Sequence, residues 1–135
     1  MGLDNFFVKM CGPGETAEPL RWDLTAEPLR FDPPLELCGG MLSGGDGSFT
    51  GHAFALSQAY KGLLYADFVG RVSGLDLYAD QNLPGALVEA ADAIAAWLKD
   101  NPMDESDRPD RREVSDLERA FRAYGNAGYW LISWY

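Results

Sequence analysis

The chain has 135 residues, is 47% hydrophobic and carries a formal charge of −10 from 21 acidic and 11 basic residues. That length suits one domain, and the 4 Trp, 6 Tyr and 7 Phe supply a real core, which argues against a disordered chain. The acidic excess opposes binding to nucleic-acid phosphates and to anionic membrane surfaces, and no apolar run approaches the ~18 residues of a membrane span.

The expected architecture is α+β: a single compact domain over residues 1–135, with a small sheet of N-terminal, central and C-terminal strands packed by two to three helices. Residues 3–10 read as a strand around Phe6-Phe7-Val8, ended by the turn Cys11-Gly12-Pro13-Gly14. A tandem nonapeptide follows. Residues 16–24, Thr-Ala-Glu-Pro-Leu-Arg-Trp-Asp-Leu, are repeated at 25–33 as Thr-Ala-Glu-Pro-Leu-Arg-Phe-Asp-Pro, with seven of nine positions identical. Two copies are too few for a solenoid, and Pro19, Pro28, Pro33 and Pro34 keep the stretch extended or turned, so 12–34 reads as a surface loop or ragged hairpin. Leu35-Glu36-Leu37 alternates like a short strand.

Six glycines then fall within residues 39–51. Beyond them, Leu56, Tyr60, Leu63, Leu64, Phe68 and Val72 recur at helical spacing and predict a helix over about 53–73, broken near Gly62 and closed by Ser73-Gly74. Leu75–Tyr78 reads as a short strand or an ordered loop. Leu83-Pro84-Gly85 opens the clearest helix, which runs to about Lys99 with Leu87, Ala91, Ile94 and Leu98 on one stripe. Residues 100–113 read as a polar loop. Ser115 and Glu118 have capping-box spacing for a last helix, with Leu117, Ala120, Phe121 and Tyr124 facing inward and Gly125 as its stop. The final eight residues read as a buried strand by composition; a continuing helix is the competing reading, and Gly125 and Gly128 favour the strand.

Chemistry-bearing residues concentrate at 38–52. Cys38, Gly39, Gly40, Ser43, Gly44, Gly45 and Ser48 would let backbone amides and hydroxyls converge on a phosphate or nucleotide, with His52 assisting. Neither a phosphate-binding Lys motif nor a dinucleotide glycine pattern accompanies them, and a structural turn accounts for the same glycines. Cys38 with His52 has the residue types of a nucleophile pair, although a lone histidine at a helix start more often caps or faces solvent. Cys11, Cys38 and His52 match no standard zinc spacing. No catalytic residue, metal or cofactor is assigned. Two cysteines and an N-terminus without a basic-then-apolar leader lead to the expectation of a cytoplasmic protein with reduced thiols.

Met1-Gly2-Leu3-Asp4-Asn5-Phe6, Cys38-Gly39-Gly40-Met41-Leu42-Ser43-Gly44 and Ser48-Phe49-x-Gly51, with Ser73–Tyr78 and Phe121-Arg122-Ala123-Tyr124, resemble a family of small proteins from bacteria and their phages. In that pattern basic residues flank the glycine after Ser-Phe. Thr50 and His52 stand there instead, so an anion site built on the basic pair is not implied here. The resemblance brings no established activity. The functional expectation is a non-enzymatic accessory, inhibitor or immunity-type factor that binds a protein partner with a basic surface. A small phosphate- or nucleotide-binding enzyme or sensor using loop 39–51 is the alternative, and a homo-oligomer joined through the aromatic C-terminus is the third reading.

Overall fold

The Phe-rich N-terminal run lies inside a four-stranded antiparallel sheet. A computed structural model describes residues 2–10, 27–37, 58–104 and 107–134 of the chain. The strands are β1 (Asp4–Val8), β2 (Ala59–Lys61), β3 (Gln81–Asn82) and β4 (Trp130–Trp134). Their order is β2-β1-β4-β3, so the first and last strands of the chain pair at the centre. Phe6 stands opposite both Ala59 of β2 and Ile132 of β4. Three helices complete the described fold: α1 (Ala66–Ser73), α2 (Pro84–Asp100) and α3 (Arg111–Asn126). The α+β expectation therefore holds.

Alternation along β1 divides the sheet into two faces. Leu3 and Phe7 join Tyr60, Leu131 and the inward stripes of all three helices in one core. Phe6 and Val8 point the other way and are buried with Ala59 and Ile132. The two long helices meet closely because Gly125 of α3 has no side chain. A Cβ there would fall 2.7 Å from the Pro84 carbonyl oxygen and 2.7 Å from Val88 Cγ2.

Several local expectations change. The helix predicted over 53–73 occupies only Ala66–Ser73; Ala59–Lys61 is a strand and Gly62–Leu64 a 3-10 turn, while 53–57 lie outside the described residues. A strand pairing along β1 outweighs helical periodicity there, and the break does fall at Gly62. Leu35 and Leu37 are buried in the alternating manner expected, yet residues 35–37 join no strand ladder. Residues 75–78 form a loop in which Asp76 Oδ1 accepts the Tyr78 amide at 2.9 Å. The last helix begins four residues before Ser115. Asp110 is its cap: its side chain accepts the Glu113 amide at 2.9 Å, and Glu113 Oε1 accepts the Asp110 amide at 3.3 Å. An aspartate cap has the same reach as serine and adds negative charge at the positive helix end. Gly125 stays helical, and Gly128, at φ 83°, makes the turn into β4.

One polar side chain is fully enclosed on the helix-facing side of β1. Asn5 is 0% exposed, and its Nδ2 donates to the Leu77 carbonyl at 2.9 Å and to that of Ile132 at 3.4 Å. Its Oδ1 has no hydrogen-bond partner among the described residues. It sits against Gly62, where a Cβ would be 1.7 Å from it. Gly62 is therefore required by the amide rather than by its own dihedral angles. Gly62→Ala should cost roughly 2–4 kcal/mol in urea unfolding, because Asn5 must give up its bond to Leu77. In an Asn5→Ala background the same change should cost less than about 1 kcal/mol. Equal costs in the two backgrounds would show that the amide is not the obstacle.

Candidate functional site

The 3-10 turn and α1 make one wall of an open groove, and loop 74–78 makes the other. After Lys61 leaves the sheet, the tight turn at Gly62 swings Leu63 and Leu64 outward, leaving them 51% and 57% exposed. Tyr78, 40% exposed, and Leu63 both line this groove, which has a volume of about 470 Å³. Leu75 lies at its floor and is buried. Gly70 and Gly74 also line it. Gly74 is the left-handed cap that ends α1, at φ 78°. Gly70 is mid-helix, and a Cβ there would meet nothing closer than Leu75 O at 3.9 Å. Alanine would fit and would favour the helix by about 1 kcal/mol, so the fold does not require glycine here. Asp67 and Asp76 rim the groove. Arg71 reaches Asp67 at 3.9 Å, with both side chains largely in solvent, so the pair contributes little.

A second arrangement lies on α3. Residues 27–33, most of the second nonapeptide, run across it. Tyr129 Oη donates to Glu27 O at 2.8 Å, and Leu29 N donates to Tyr124 Oη at 2.9 Å. Tyr124 Oη in turn donates to Gln58 Oε1 at 2.6 Å. Phe31 packs on Tyr124 with ring centroids 5.8 Å apart, and the Arg119 guanidinium lies 5.6 Å from the Phe31 centroid. Arg119 also donates to Pro33 O at 2.5 Å. Just beyond the repeat, the buried Asp116 carboxylate accepts the Glu36 amide at 2.7 Å and pairs with Arg119 at 2.9 Å.

Arg111, Arg112 and Arg119 line a third, shallow depression beside Pro33 and Pro34. Its positive charge is largely matched within the chain: Arg112 pairs with Glu36 at 2.5 Å and Arg119 with Asp116. A little further along α3, Arg122 bridges Glu118 at 2.7 Å and Asp92 at 2.8 Å. These carboxylates hold the Arg122 guanidinium above the usual arginine value.

The sequence-predicted ligand residues Cys38, Gly39, Gly40, Ser43, Gly44, Gly45, Ser48 and His52 all lie outside the described residues, as does Cys11. Among the described residues no group of three or more His, Cys, Asp or Glu is placed to hold a metal ion, and no helix is long and apolar enough to cross a membrane. The groove on α1 was missed because Leu63 fits the helical stripe that also contains Tyr60 and Phe68. The signal for it was the glycine pair at 62 and 70 flanking two leucines. The C-terminal residues Tyr129, Leu131 and Ile132 are buried within the chain. No protein-family model, curated protein or solved structure matches the chain.

Burial raises the Tyr124 phenol well above the usual tyrosine value; the Leu29 amide bond lowers it in part, and nearby Tyr129 raises it. The folded chain thus keeps the neutral phenol at pH values where the unfolded chain ionises near ~10. The associated stability is fully present below ~10 and is lost as pH rises from there toward the folded value. Urea titrations between pH 9 and 11 should show stability falling more steeply in the wild type than in Tyr124→Phe. The difference should be at most ~1.4 kcal/mol per pH unit. Parallel slopes would contradict the assignment.

Proposed function

We propose that the protein is a non-enzymatic binding module of the accessory or inhibitor kind. Its α1 groove receives an apolar side chain carried on a basic segment of a partner protein. The observation that carries this reading is one groove lined by exposed Leu63 and Tyr78 together with buried Leu75 and the small Gly70. Exposed tyrosine beside an apolar floor is the composition of an interface anchor. The partner's charge follows from complementarity. Asp67 and Asp76 stand at the rim, and the chain as a whole carries −10, which speeds encounter with a cationic segment and repels an anionic one.

The groove is open and shallow, which suits one or two anchoring side chains of a peptide segment better than an enclosed small molecule. Desolvating an apolar anchor against Leu63, Leu75 and Tyr78 supplies affinity at about 25 cal/mol per Å². The acidic rim supplies on-rate and selectivity.

Selection of displayed random peptides on the immobilised protein tests this. Enriched peptides should carry an apolar or aromatic residue flanked by Lys or Arg, and their binding should weaken several-fold between 50 and 300 mM salt. Gly70→Leu, which fills the floor from a position with room for a side chain, should lower their affinity at least tenfold without lowering Tm. Asp67→Lys should reduce the salt dependence. Peptides that bind Gly70→Leu as tightly as the wild type would place the site elsewhere.

A further inference from the structure

Phe68 and Arg71 of α1 line a second, smaller pocket of about 240 Å³. Trp97 and Asn101 at the end of α2 complete it, with Asp107 and Arg108 of the loop that leads to α3. That volume is below the roughly 300–1,000 Å³ of sites for drug-sized molecules, so the pocket suits one small molecule. Its apolar part is firmly set. Phe68 is buried and meets Trp97 edge to face, with ring centroids 5.1 Å apart and planes at 85°. Met103 also lines the pocket and packs, like Trp97, against the core.

The polar groups of the lining are of two kinds. The Arg71 guanidinium lies 5.8 Å from the Phe68 ring centroid, a cation–π contact. Its Nε reaches Asp67 at 3.9 Å, and its two Nη atoms have no partner among the described residues. Arg108 adds a second guanidinium, whose Nη1 donates to the Asp107 carbonyl at 2.7 Å. Acceptors stand beside these donors. Asn101 spends Nδ2 on the Trp97 carbonyl at 2.9 Å, and Asp107 Oδ2 accepts the Asp104 amide at 2.6 Å. Asn101 Oδ1 and Asp107 Oδ1 have no hydrogen-bond partner among the described residues. Asn101 is also the C-cap of α2, the end of a helix dipole that favours a cation.

We propose that this pocket binds a free α-amino acid with an apolar side chain. The carboxylate lies at Arg71 and Arg108, whose planar donor forks suit its two oxygens. The ammonium lies at Asp107 and Asn101, and the apolar side chain rests against Trp97, Phe68 and Met103. The zwitterion follows from the lining. A simple organic anion would meet the Asp107 carboxylate, and a simple cation would meet two guanidiniums. A ligand that carries both charges matches each kind of group and adds no net charge to a chain of −10. The pocket shares no lining residue with the α1 groove, so the site stands or falls independently of peptide binding there.

Amide NMR of the full chain, titrated with L-leucine, L-methionine and L-phenylalanine at pH ~7, tests the site; both ends of each amino acid are charged there. The Trp97 indole N–H signal is assigned by its absence in Trp97→Phe. At least one of the three should shift that signal saturably, with a Kd below ~10 mM, and should raise Tm. The amide of that amino acid lacks the carboxylate, and its N-acetyl form lacks the ammonium. Each should bind at least ~10-fold more weakly than the parent. Arg71→Gln alters a side chain that is 63% exposed, so it should keep the wild-type Tm without ligand and lose the same ~10-fold in affinity. No saturable shift below ~10 mM with any of the three would overturn the proposal. So would an amide or N-acetyl form that binds as tightly as the parent, or undiminished binding by Arg71→Gln.

Discussion

Tyr124 lies flat on Phe7, with ring centroids 4.1 Å apart and planes within 6° of parallel, and every layer of the described fold meets at that pair. Phe7 comes from the central strand and Tyr124 from α3. Around them stand Tyr60 of β2, Phe121 of α3, Phe31 of the second nonapeptide and Tyr129 at the entry to β4. Stacked and edge-on aromatic pairs add about 0.5–1.5 kcal/mol each beyond the area they bury. The constraint is stronger than that sum because the Tyr124 phenol is held too. Its hydroxyl accepts from Leu29 N and donates to Gln58 Oε1, so the ring cannot shift without losing two partners. Sheet, helix and loop thus share one side chain. It belongs both to the core and to the contacts that hold residues 27–33 on α3.

Charge is arranged on the same helix to opposite effect. A chain of net charge −10 places Arg112, Arg119 and Arg122 on α3, and all three meet carboxylates of the chain. Arg119 combines an ion pair with Asp116, a bond to Pro33 O and a place beside the Phe31 ring. The planar fork of a guanidinium serves all three at once, where a lysine would serve one. With these cations committed to holding α3 and the 27–36 segment, the acidic surplus lies elsewhere, including the rim of the α1 groove.

The sequence carried the elements whose local signals agree with their packing. Phe6-Phe7-Val8 is apolar on both faces, as a strand with a buried residue on each side must be. Pro84 and the Leu87–Ile94 stripe define α2 with few rivals, and the aromatic C-terminus is a strand as its composition suggested. Failures came where two local signals competed. Tyr60 and Leu63 fit a helical stripe, but the free edge of β1 takes residues 59–61 as a partner. Ser115–Glu118 and Asp110–Glu113 have the same capping spacing, and the earlier, charged cap is used. The candidate site was the least legible part. The α1 groove arises from the direction in which a 3-10 turn throws Leu63, and no periodicity encodes that direction. The tandem repeat was plain in the sequence, yet the side chains that hold its second copy, Arg119, Tyr124 and Tyr129, lie about ninety to a hundred residues away and carry no local mark of that contact.

The groove and the core are joined by the buried Asn5 amide. Its Nδ2 holds the Leu77 carbonyl, which belongs to one wall of the groove, and its Oδ1 rests on Gly62, which begins the other. Leu63 N also donates to Leu3 O at 3.3 Å, tying the same wall to the residue two before Asn5. Both walls are therefore tied from beneath to the first residues of β1. A buried amide whose oxygen meets no partner among the described residues is costly, and an apolar residue of similar size would remove that cost while leaving the walls untied. Retaining an asparagine at the centre of an otherwise apolar face trades stability for fixed anchor points beneath Leu63 and Tyr78. That is the arrangement expected of a site that must present its apolar groups to a partner.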